Sequence, residues 1–148
     1  MYLNKRRYIG LNYKSVRAQF KAKGKKLPNL SVFGVNIEEV TSISCQCLYW
    51  RKANAIHGWF VREVQNGNDD CGTYEVSREK LKELRAACVE VLADHSKAEE
   101  LLPPQEGFFF GGTEPDKYYF SDLKETIEGI DKVLALDDGW DFFYQSSW

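Results

Sequence analysis

His57 is the side chain in this sequence best suited to chemistry, because an imidazole can act as a general acid, a general base or a ligand contact. On a helical wheel over residues 49–65 it lies inside an apolar arc, and Asn54 precedes it by about one turn. Asn54 could therefore orient the imidazole within a pocket. A hydrogen-bonded core histidine explains the same pattern, and no serine or cysteine stands at a spacing that specifies a catalytic triad. We assign no catalytic residue.

Two more side chains of the same predicted helix extend this candidate site. Trp59 projects away from the apolar arc, so its ring must be covered either by another element or by a partner. Arg51 lies with Arg62 on the polar side, where the two face either solvent or an anionic ligand. Arginine pairs with phosphate, and aromatic rings stack on bases. The candidate site for a small anionic ligand such as a nucleotide comprises Arg51, Asn54, His57 and Trp59.

The cysteines form no metal-binding pattern. Cys45 and Cys47 lack a second pair at zinc spacing, and the other cysteines stand at no ligand interval from either histidine. We predict neither a metal nor another cofactor. The N-terminal residues lack the apolar run of a secretory signal. We therefore expect free, buried thiols rather than a disulfide framework.

The distribution of charge suggests a second kind of binding. The first 37 residues carry nine basic and no acidic side chains, whereas the rest of the chain holds eleven basic and twenty-two acidic ones. Such a basic segment could bind nucleic acid. The side chains for this alternative are Lys21, Lys23, Lys25 and Lys26. The basic residues are spaced through apolar ones and form no continuous block, which favours the other interpretation, a basic edge element that packs over the acidic body and offsets its self-repulsion.

Hydrophobic periodicity predicts three helices. The first spans residues 49–65 and ends at Gly67. The second runs from the N-cap Ser77 to Ala93, with an apolar stripe at helical spacing. The third is capped by Ser121 and closes near Gly139.

Alternating and aromatic segments predict strands between and around these helices. They are expected within residues 2–20, at Leu30–Ile37, in an aromatic hairpin of Phe108–Phe110 with Tyr118–Phe120, and in the tail Trp140–Trp148. The expected fold is α+β, a small antiparallel sheet packed with about three helices. Residues 1–148 form one domain, with a basic β-rich segment over residues 1–37 and the helices, hairpin and last strand over residues 49–148.

Several stretches resemble a family of short proteins encoded by bacteriophages and prophages. The matching segments are Tyr49–Val61, Asn66–Cys71, Phe108–Glu114 with Tyr118–Tyr119, and Tyr144–Trp148. The resemblance covers roughly residues 49–148 and carries over no catalytic residue. It implies a viral accessory protein in the bacterial cytoplasm. Small phage accessory proteins often blunt host defence by occupying a host protein or sequestering a signalling nucleotide, which is an association by class.

The leading hypothesis is therefore a non-catalytic binding protein whose partner is a host protein or a small anionic ligand such as a nucleotide. Nucleic-acid binding through the basic segment is one alternative, and a small hydrolase or transferase using His57 is another. No stretch is apolar enough to cross a membrane, and self-association stays open.

Overall fold

The computed structural model describes residues 1–8, 24, 33–35, 40–104 and 115–147, which form four helices and a four-stranded antiparallel sheet. The predicted α+β fold is confirmed. The elements in chain order are β1 (Tyr2–Tyr8), β2 (Ser42–Tyr49), α1 (Asn54–Glu63), β3 (Thr73–Val76), α2 (Arg78–Ala93), a 3-10 turn (His95–Lys97), α3 (Ala98–Leu101), α4 (Lys117–Leu134) and β4 (Asp141–Gln145). None of these described helices is long and apolar enough to cross a membrane.

The sheet has the strand order β2-β1-β4-β3, and every neighbouring pair is antiparallel. Strand β1 therefore lies inside the sheet, hydrogen-bonded to β2 on one side and to β4 on the other. Leu3 pairs with Leu48 while Asn4 pairs with Gln46, so Cys47 is an extra residue in β2. Such a β-bulge bends the strand locally and increases its twist.

One face of the sheet, the inner face, packs against the helices. Its buried side chains come from three strands: Leu3, Val76, Phe142 and Tyr144. The Phe60 ring of α1 stacks on Tyr144, with ring centroids 3.9 Å apart and planes 9° from parallel. Trp50 packs against both rings, and its indole N–H donates to the hydroxyl of Thr126 at 2.8 Å. The aromatic centre of the core is thus held by α1, β4 and α4 together.

Helix α2 is confirmed with its predicted N-cap. The Ser77 side chain accepts the backbone N–H of Lys80 at 3.1 Å, which satisfies one of the free donors at the helix start. The side chains it buries repeat at helical spacing: Leu81, Leu84, Cys88 and Val91. On its outer side Arg85 forms a bidentate ion pair with Asp131 of α4, at 2.5 and 3.2 Å.

The predicted start of the third helix was wrong. Helix α4 begins at Lys117, and its N-cap is Asp116, whose carboxylate accepts the backbone N–H groups of Tyr118 and Tyr119 at 2.9 Å each. Tyr118–Phe120 are therefore the first turn of a helix and not a hairpin strand. Aspartate caps a helix as well as serine does, so residue type alone could not choose between Asp116 and Ser121.

The predicted start of the first helix was wrong as well. Tyr49 belongs to β2, where it pairs with Tyr2 and is 52% exposed. Lys52 then adopts φ 61°, a left-handed conformation that cannot lie within an α-helix, and α1 begins only at Asn54. Trp50 and Ala53 are buried, but they lie in this irregular connection and not in the helix. Their positions on the apolar arc of the helical wheel were therefore a coincidence.

Parts of the N-terminal prediction are also settled. The predicted strand Leu30–Ile37 was wrong at its described positions, because Phe33–Val35 are not in a strand and Gly34 has φ 68°. Four predicted features lie outside the described residues: Lys21, Lys23, Lys25 and Lys26. The aromatic triplet Phe108–Phe110 lies outside them as well. The tail strand is confirmed as β4.

Gly129 sets the distance between α4 and the sheet. A β-carbon added there would overlap the Leu48 side chain, with Cγ and Cδ1 at 3.0 and 3.2 Å and Cδ2 closer still. We expect Gly129→Ala to lower the free energy of unfolding by about 2 kcal/mol. The steric cost of the overlap exceeds the stabilisation of about 1 kcal/mol that alanine gives over glycine within a helix. Chemical denaturation measures the change. Adding Leu48→Ala should relieve part of the loss, and a Gly129→Ala protein more stable than wild type would show that the helix can move away freely.

Candidate functional site

His57 is held inside the core by both of its ring nitrogens. Only 2% of the residue is exposed. Its Nδ1 lies 2.7 Å from the hydroxyl oxygen of Tyr144 on β4, and its Nε2 lies 3.1 Å from Oδ2 of Asp69, in the loop after α1. The three side chains form a continuous hydrogen-bonded chain that runs from the buried sheet to a carboxylate that is 41% exposed.

The carboxylate of Asp69 decides which ring nitrogen carries the proton when His57 is neutral. A carboxylate can only accept, so Nε2 carries the proton and donates it to Asp69. Nδ1 is then an acceptor, and the hydroxyl of Tyr144 donates a hydrogen bond to it. Burial raises the pKa of Tyr144 well above its ordinary value, which keeps this phenol protonated and able to donate.

The loop that carries Asp69 is held by its own hydrogen bonds. Gln65 is buried and donates to the carbonyl of Asn68 at 2.6 Å, and Asn66 and Gly67 adopt left-handed φ values of 53° and 81°. Asp70 accepts the backbone N–H of Gly72 at 2.8 Å and the hydroxyl of Tyr74 at 2.9 Å, and these bonds lower its pKa. The chain reversal after α1 is thereby fixed, and Asp69 with it.

The arrangement suits a structural role better than a catalytic one. It has the donor and acceptor order of a catalytic triad, with a phenol where a nucleophilic hydroxyl would stand. Tyr144 is fully buried, however, and its ring is covered by Phe60. A reacting atom has to come within about 3 Å of both nucleophile and base, and the buried hydroxyl offers no such approach.

The other candidate residues from the predicted helix lie in different environments. Arg51 is exposed and precedes α1, so it does not share a helix face with Arg62. Asn54 is the first residue of α1 and is partly buried. Trp59 is 5% exposed and packs edge-on against Phe60 at 5.3 Å, so the chain itself covers this ring. Six consecutive residues of α1, from Ala55 to Phe60, are buried, which leaves no polar face at Trp59.

The cavity beside Asn54 is too small for a nucleotide. It measures about 10 Å³, enough for roughly one water molecule. Its lining includes Tyr119 and Asp122 of α4, and among the four candidate residues only Asn54 contributes. Burial, and to a lesser degree the nearby Glu125, raises the pKa of Asp122 to about 6.

Asp122→Asn should therefore stabilise the protein in a pH-dependent way. Between about pH 4 and pH 6 this carboxyl is ionised in the unfolded chain but still protonated in the folded protein, so the contribution of Asp122 to stability falls over this range and is constant above it. After allowance for the half-exposed position, we expect Asp122→Asn to gain about 1 kcal/mol above pH 6 and nothing below pH 4. Thermal unfolding across this range measures the difference.

Asp131 on the same helix is the matched control, because Arg85 lowers its pKa. Its asparagine variant should lose stability at neutral pH and approach wild type as the pH falls. A gain at Asp122 that is equal at pH 3 and pH 8 would mean that the ionised carboxylate is not the source of the cost.

A larger groove lies at the start of α2, and it is a poor fit for an anion. It encloses about 260 Å³ between β3, β4 and the residues before β4. Its cation, Arg78, donates to the carbonyls of Leu134, Leu136 and Asp137 at 3.2, 3.0 and 2.7 Å, which closes the end of α4. The remaining charged side chains of the groove are all acidic: Glu75, Asp138 and Asp141.

The described part of the basic N-terminal segment packs on the C-terminal part of the chain. Lys5 and Arg7 both lie over the Trp140 ring, at 4.7 and 4.6 Å from its centroid. Arg7 also forms an ion pair with Asp137 and donates to the carbonyl of Gly139 at 3.1 Å. These contacts agree with a basic element packed over an acidic body. Lys21, Lys23, Lys25 and Lys26 lie outside the described residues.

The four cysteines are all free thiols, as expected, but only Cys88 is fully buried, and Cys45 is exposed. Burial raises the pKa of Cys88 to about 12 and that of Cys47 to about 11. Cys47 also donates to the carbonyl of Leu3 at 3.1 Å. Both thiols are thus kept in the protonated, weakly nucleophilic form. Within the described residues, no group of three or more side chains is arranged to hold a metal ion.

Sequence reasoning missed the two partners of His57. Asp69 lies in the segment Asn66–Cys71 of the family resemblance and received no role, and Tyr144 was predicted only as part of the tail strand. Alternation along the tail could have placed Tyr144 on the inner face with Phe142, but not opposite His57. Comparison of the chain with protein-family models, with curated proteins and with solved structures finds no match.

Proposed function

We propose that the protein is a non-catalytic binding protein, of the kind that bacteriophages encode as accessory proteins. In this proposal it acts inside the bacterial host by holding a host protein or a small anionic ligand such as a nucleotide, and so counters host defence. The phage origin rests on the sequence resemblance described above.

The observation that carries the non-catalytic part is the environment of His57. Both ring nitrogens are engaged, by Tyr144 and by Asp69, and the residue is 2% exposed. A general base must reach the proton it removes, directly or through one water molecule. This environment argues against the alternative hydrolase or transferase. The raised pKa of Cys47 and of Cys88 likewise argues against those two thiols as nucleophiles.

Between the two kinds of partner, the geometry favours a large one. The cavity at Asn54 is far smaller than a nucleotide, and the groove at Arg78 is lined by three carboxylates. Meanwhile large apolar side chains are exposed on the described strands β1 and β2, namely Tyr8, Ile43 and Tyr49 at 64%, 44% and 52%. Exposed apolar side chains, and tyrosine rings in particular, commonly anchor macromolecular interfaces.

The test is to express the tagged protein in a bacterial host and to measure what it retains. Quantitative mass spectrometry of the purified material should find a host component at close to an equimolar ratio to the protein. If the partner is a small ligand, native mass spectrometry after incubation with cyclic and linear nucleotides should show a retained nucleotide mass. The proposal fails if a small amount of protein converts many equivalents of a substrate and a folded Tyr144→Phe variant loses that conversion.

A further inference from the structure

Strand β2 forms one edge of the sheet, and its outward side, the free edge, has no partner strand among the described residues. The strand order places β2 at one end of the sheet and β3 at the other. Four consecutive residues of β2, from Ile43 to Gln46, are exposed. An edge strand presents a row of unpaired N–H and C=O groups, and folded proteins commonly protect it with charge, proline or a short strand.

The two edges of this sheet differ in that protection. Strand β3 is four residues long and carries Glu75. Strand β2 is eight residues long and contains neither a charged residue nor a proline. Its β-bulge at Cys47 lies toward its end, and its register with β1 is regular from Ser42 to Gln46. The edge formed by β2 is therefore the one that is open to a further strand.

The pairing with β1 identifies the backbone groups that point to the free edge. Met1 and Trp50 exchange both of their backbone hydrogen bonds, at 3.0 and 3.2 Å, so the odd-numbered residues along β1 direct their backbone groups toward β2. Their partners beyond the bulge, Cys45 and Ile43, are thus the residues of β2 that bond to β1. By alternation, three residues direct their N–H and C=O groups to the free edge: Ser42, Ser44 and Gln46.

The spacing of these three residues fits a second copy of the same strand. In an antiparallel pair centred on Ser44, the two Ser44 residues lie opposite each other, and each Ser42 lies opposite a Gln46. All three residues are then paired, with about six hydrogen bonds. On the other side of the sheet Ile43, which is 44% exposed, lies opposite the exposed Cys45 of the second copy. A register shifted by two residues would leave at least one of the three unpaired.

Charge does not oppose this pairing. Strand β2 is uncharged, so no like charges lie opposite each other across the contact. The two copies of β1 would be three strand spacings apart, about 14 Å. That distance exceeds the screening length of about 8 Å at physiological salt. Within each chain Arg7 is already paired with Asp137, and Arg6 lies opposite Asp141.

We propose that two copies of the chain associate through β2, so that their two four-stranded sheets become one continuous antiparallel sheet. The pairing is two-fold and closed, because it uses each free edge once and leaves the protected β3 edges outside. Pairing of two strands buries less than the roughly 1,200 Å² of a stable interface, so the dimer dissociates on dilution. The inference goes beyond the proposed function, which assigns no surface to self-association.

Sedimentation velocity over a concentration series measures the association. The molar mass should rise from that of one chain toward that of two between about 1 and about 200 µM. Ser44→Pro should keep the protein monomeric over this range, because proline has no N–H to donate and is tolerated where the N–H faces solvent. Ser44→Lys should do the same, since it places two ammonium groups opposite each other. Ser44→Ala keeps the N–H and should dimerise like wild type.

Thr73→Lys is the matched control. Thr73 is an exposed residue of β3, the other edge of the sheet. A lysine there should leave the dimer unchanged, because β3 takes no part in the proposed contact. Thermal unfolding checks that each variant is folded.

Ile43→Cys tests the register. The introduced thiol would lie opposite Cys45 of the second copy, with Cα atoms about 4.5 Å apart, which is within reach of a disulfide. Oxidised glutathione should therefore give a covalent dimer on a non-reducing gel. Ile43→Cys combined with Cys45→Ser should give none, because the two introduced thiols lie diagonally, with Cα atoms about 8 Å apart.

Three results would overturn the inference. One is a wild-type protein that stays monomeric up to about 200 µM. Another is a dimer that neither Ser44→Pro nor Ser44→Lys weakens, which would place the contact on a different surface. Both leave the proposed function standing, since retention of a host component is measured separately. The third is a monomeric wild type that holds a host protein and releases it on Ser44→Lys, because the free edge would then take a strand of that protein.

Discussion

Phe60→Ala should lower the free energy of unfolding by about 4 kcal/mol, the largest effect that we expect from a single substitution in this chain. Phe60 is fully buried, and its ring stacks on Tyr144 with centroids 3.9 Å apart. Removing the ring loses its transfer free energy and leaves a cavity between α1 and β4. Urea denaturation followed by circular dichroism measures the change. The free energy of unfolding of a single domain is commonly only about 5–15 kcal/mol, so the loss would be a large fraction of the total.

Phe120→Ala is the control for Phe60. Phe120 is only partly buried and stacks on His95, with centroids 4.0 Å apart. Its loss should cost clearly less, because much of the space it leaves is open to water. Equal losses in the free energy of unfolding at the two positions would mean that full burial and stacking on Tyr144 make Phe60 no more stabilising than a partly buried ring.

His57→Ala should cost about 3 kcal/mol, from the cavity and from the polar groups that it leaves without their partner. Tyr144 would then carry a buried hydroxyl that has lost its acceptor. Tyr144→Phe, which removes only that hydroxyl, should cost about 1–2 kcal/mol. Asp69→Asn should cost less than about 1 kcal/mol, because its carboxylate is 41% exposed and partly solvated. Denaturation of all three variants measures the order.

The same three variants separate a structural chain from a catalytic one. A structural chain gives stability losses that increase from Asp69→Asn to Tyr144→Phe to His57→Ala, while folded variants keep the biological effect. A catalytic chain gives a different result: the Tyr144→Phe and Asp69→Asn proteins stay folded but lose the biological effect. The second pattern would remove the proposal of a non-catalytic protein.

Local signals in the sequence predicted the elements that depend on local chemistry. Helix α2 has a serine N-cap followed by an apolar stripe, and both act within a few residues of each other. Strand β4 was predicted from the strand-like composition of the tail. His57 was placed in an apolar arc and is indeed buried.

The rest depends on contacts between distant parts of the chain. His57 and Tyr144 are 87 residues apart, and only the sheet register brings them together. Trp59 was placed on a polar face because a helical wheel assumes one buried side, whereas α1 is enclosed around most of its circumference. The start of α1 was missed because a left-handed Lys52 has no signature in residue type.

The inner position of β1 has a consequence for how the chain acquires its structure during synthesis. During synthesis β1 must wait for a strand far along the chain, because β1 pairs with β4. Until then only its β2 edge has a partner, and the other edge presents free backbone groups that invite wrong pairing. Pairing across such a long sequence separation slows folding. This edge of β1 therefore stays unpaired until β4 has been synthesised and has joined the sheet.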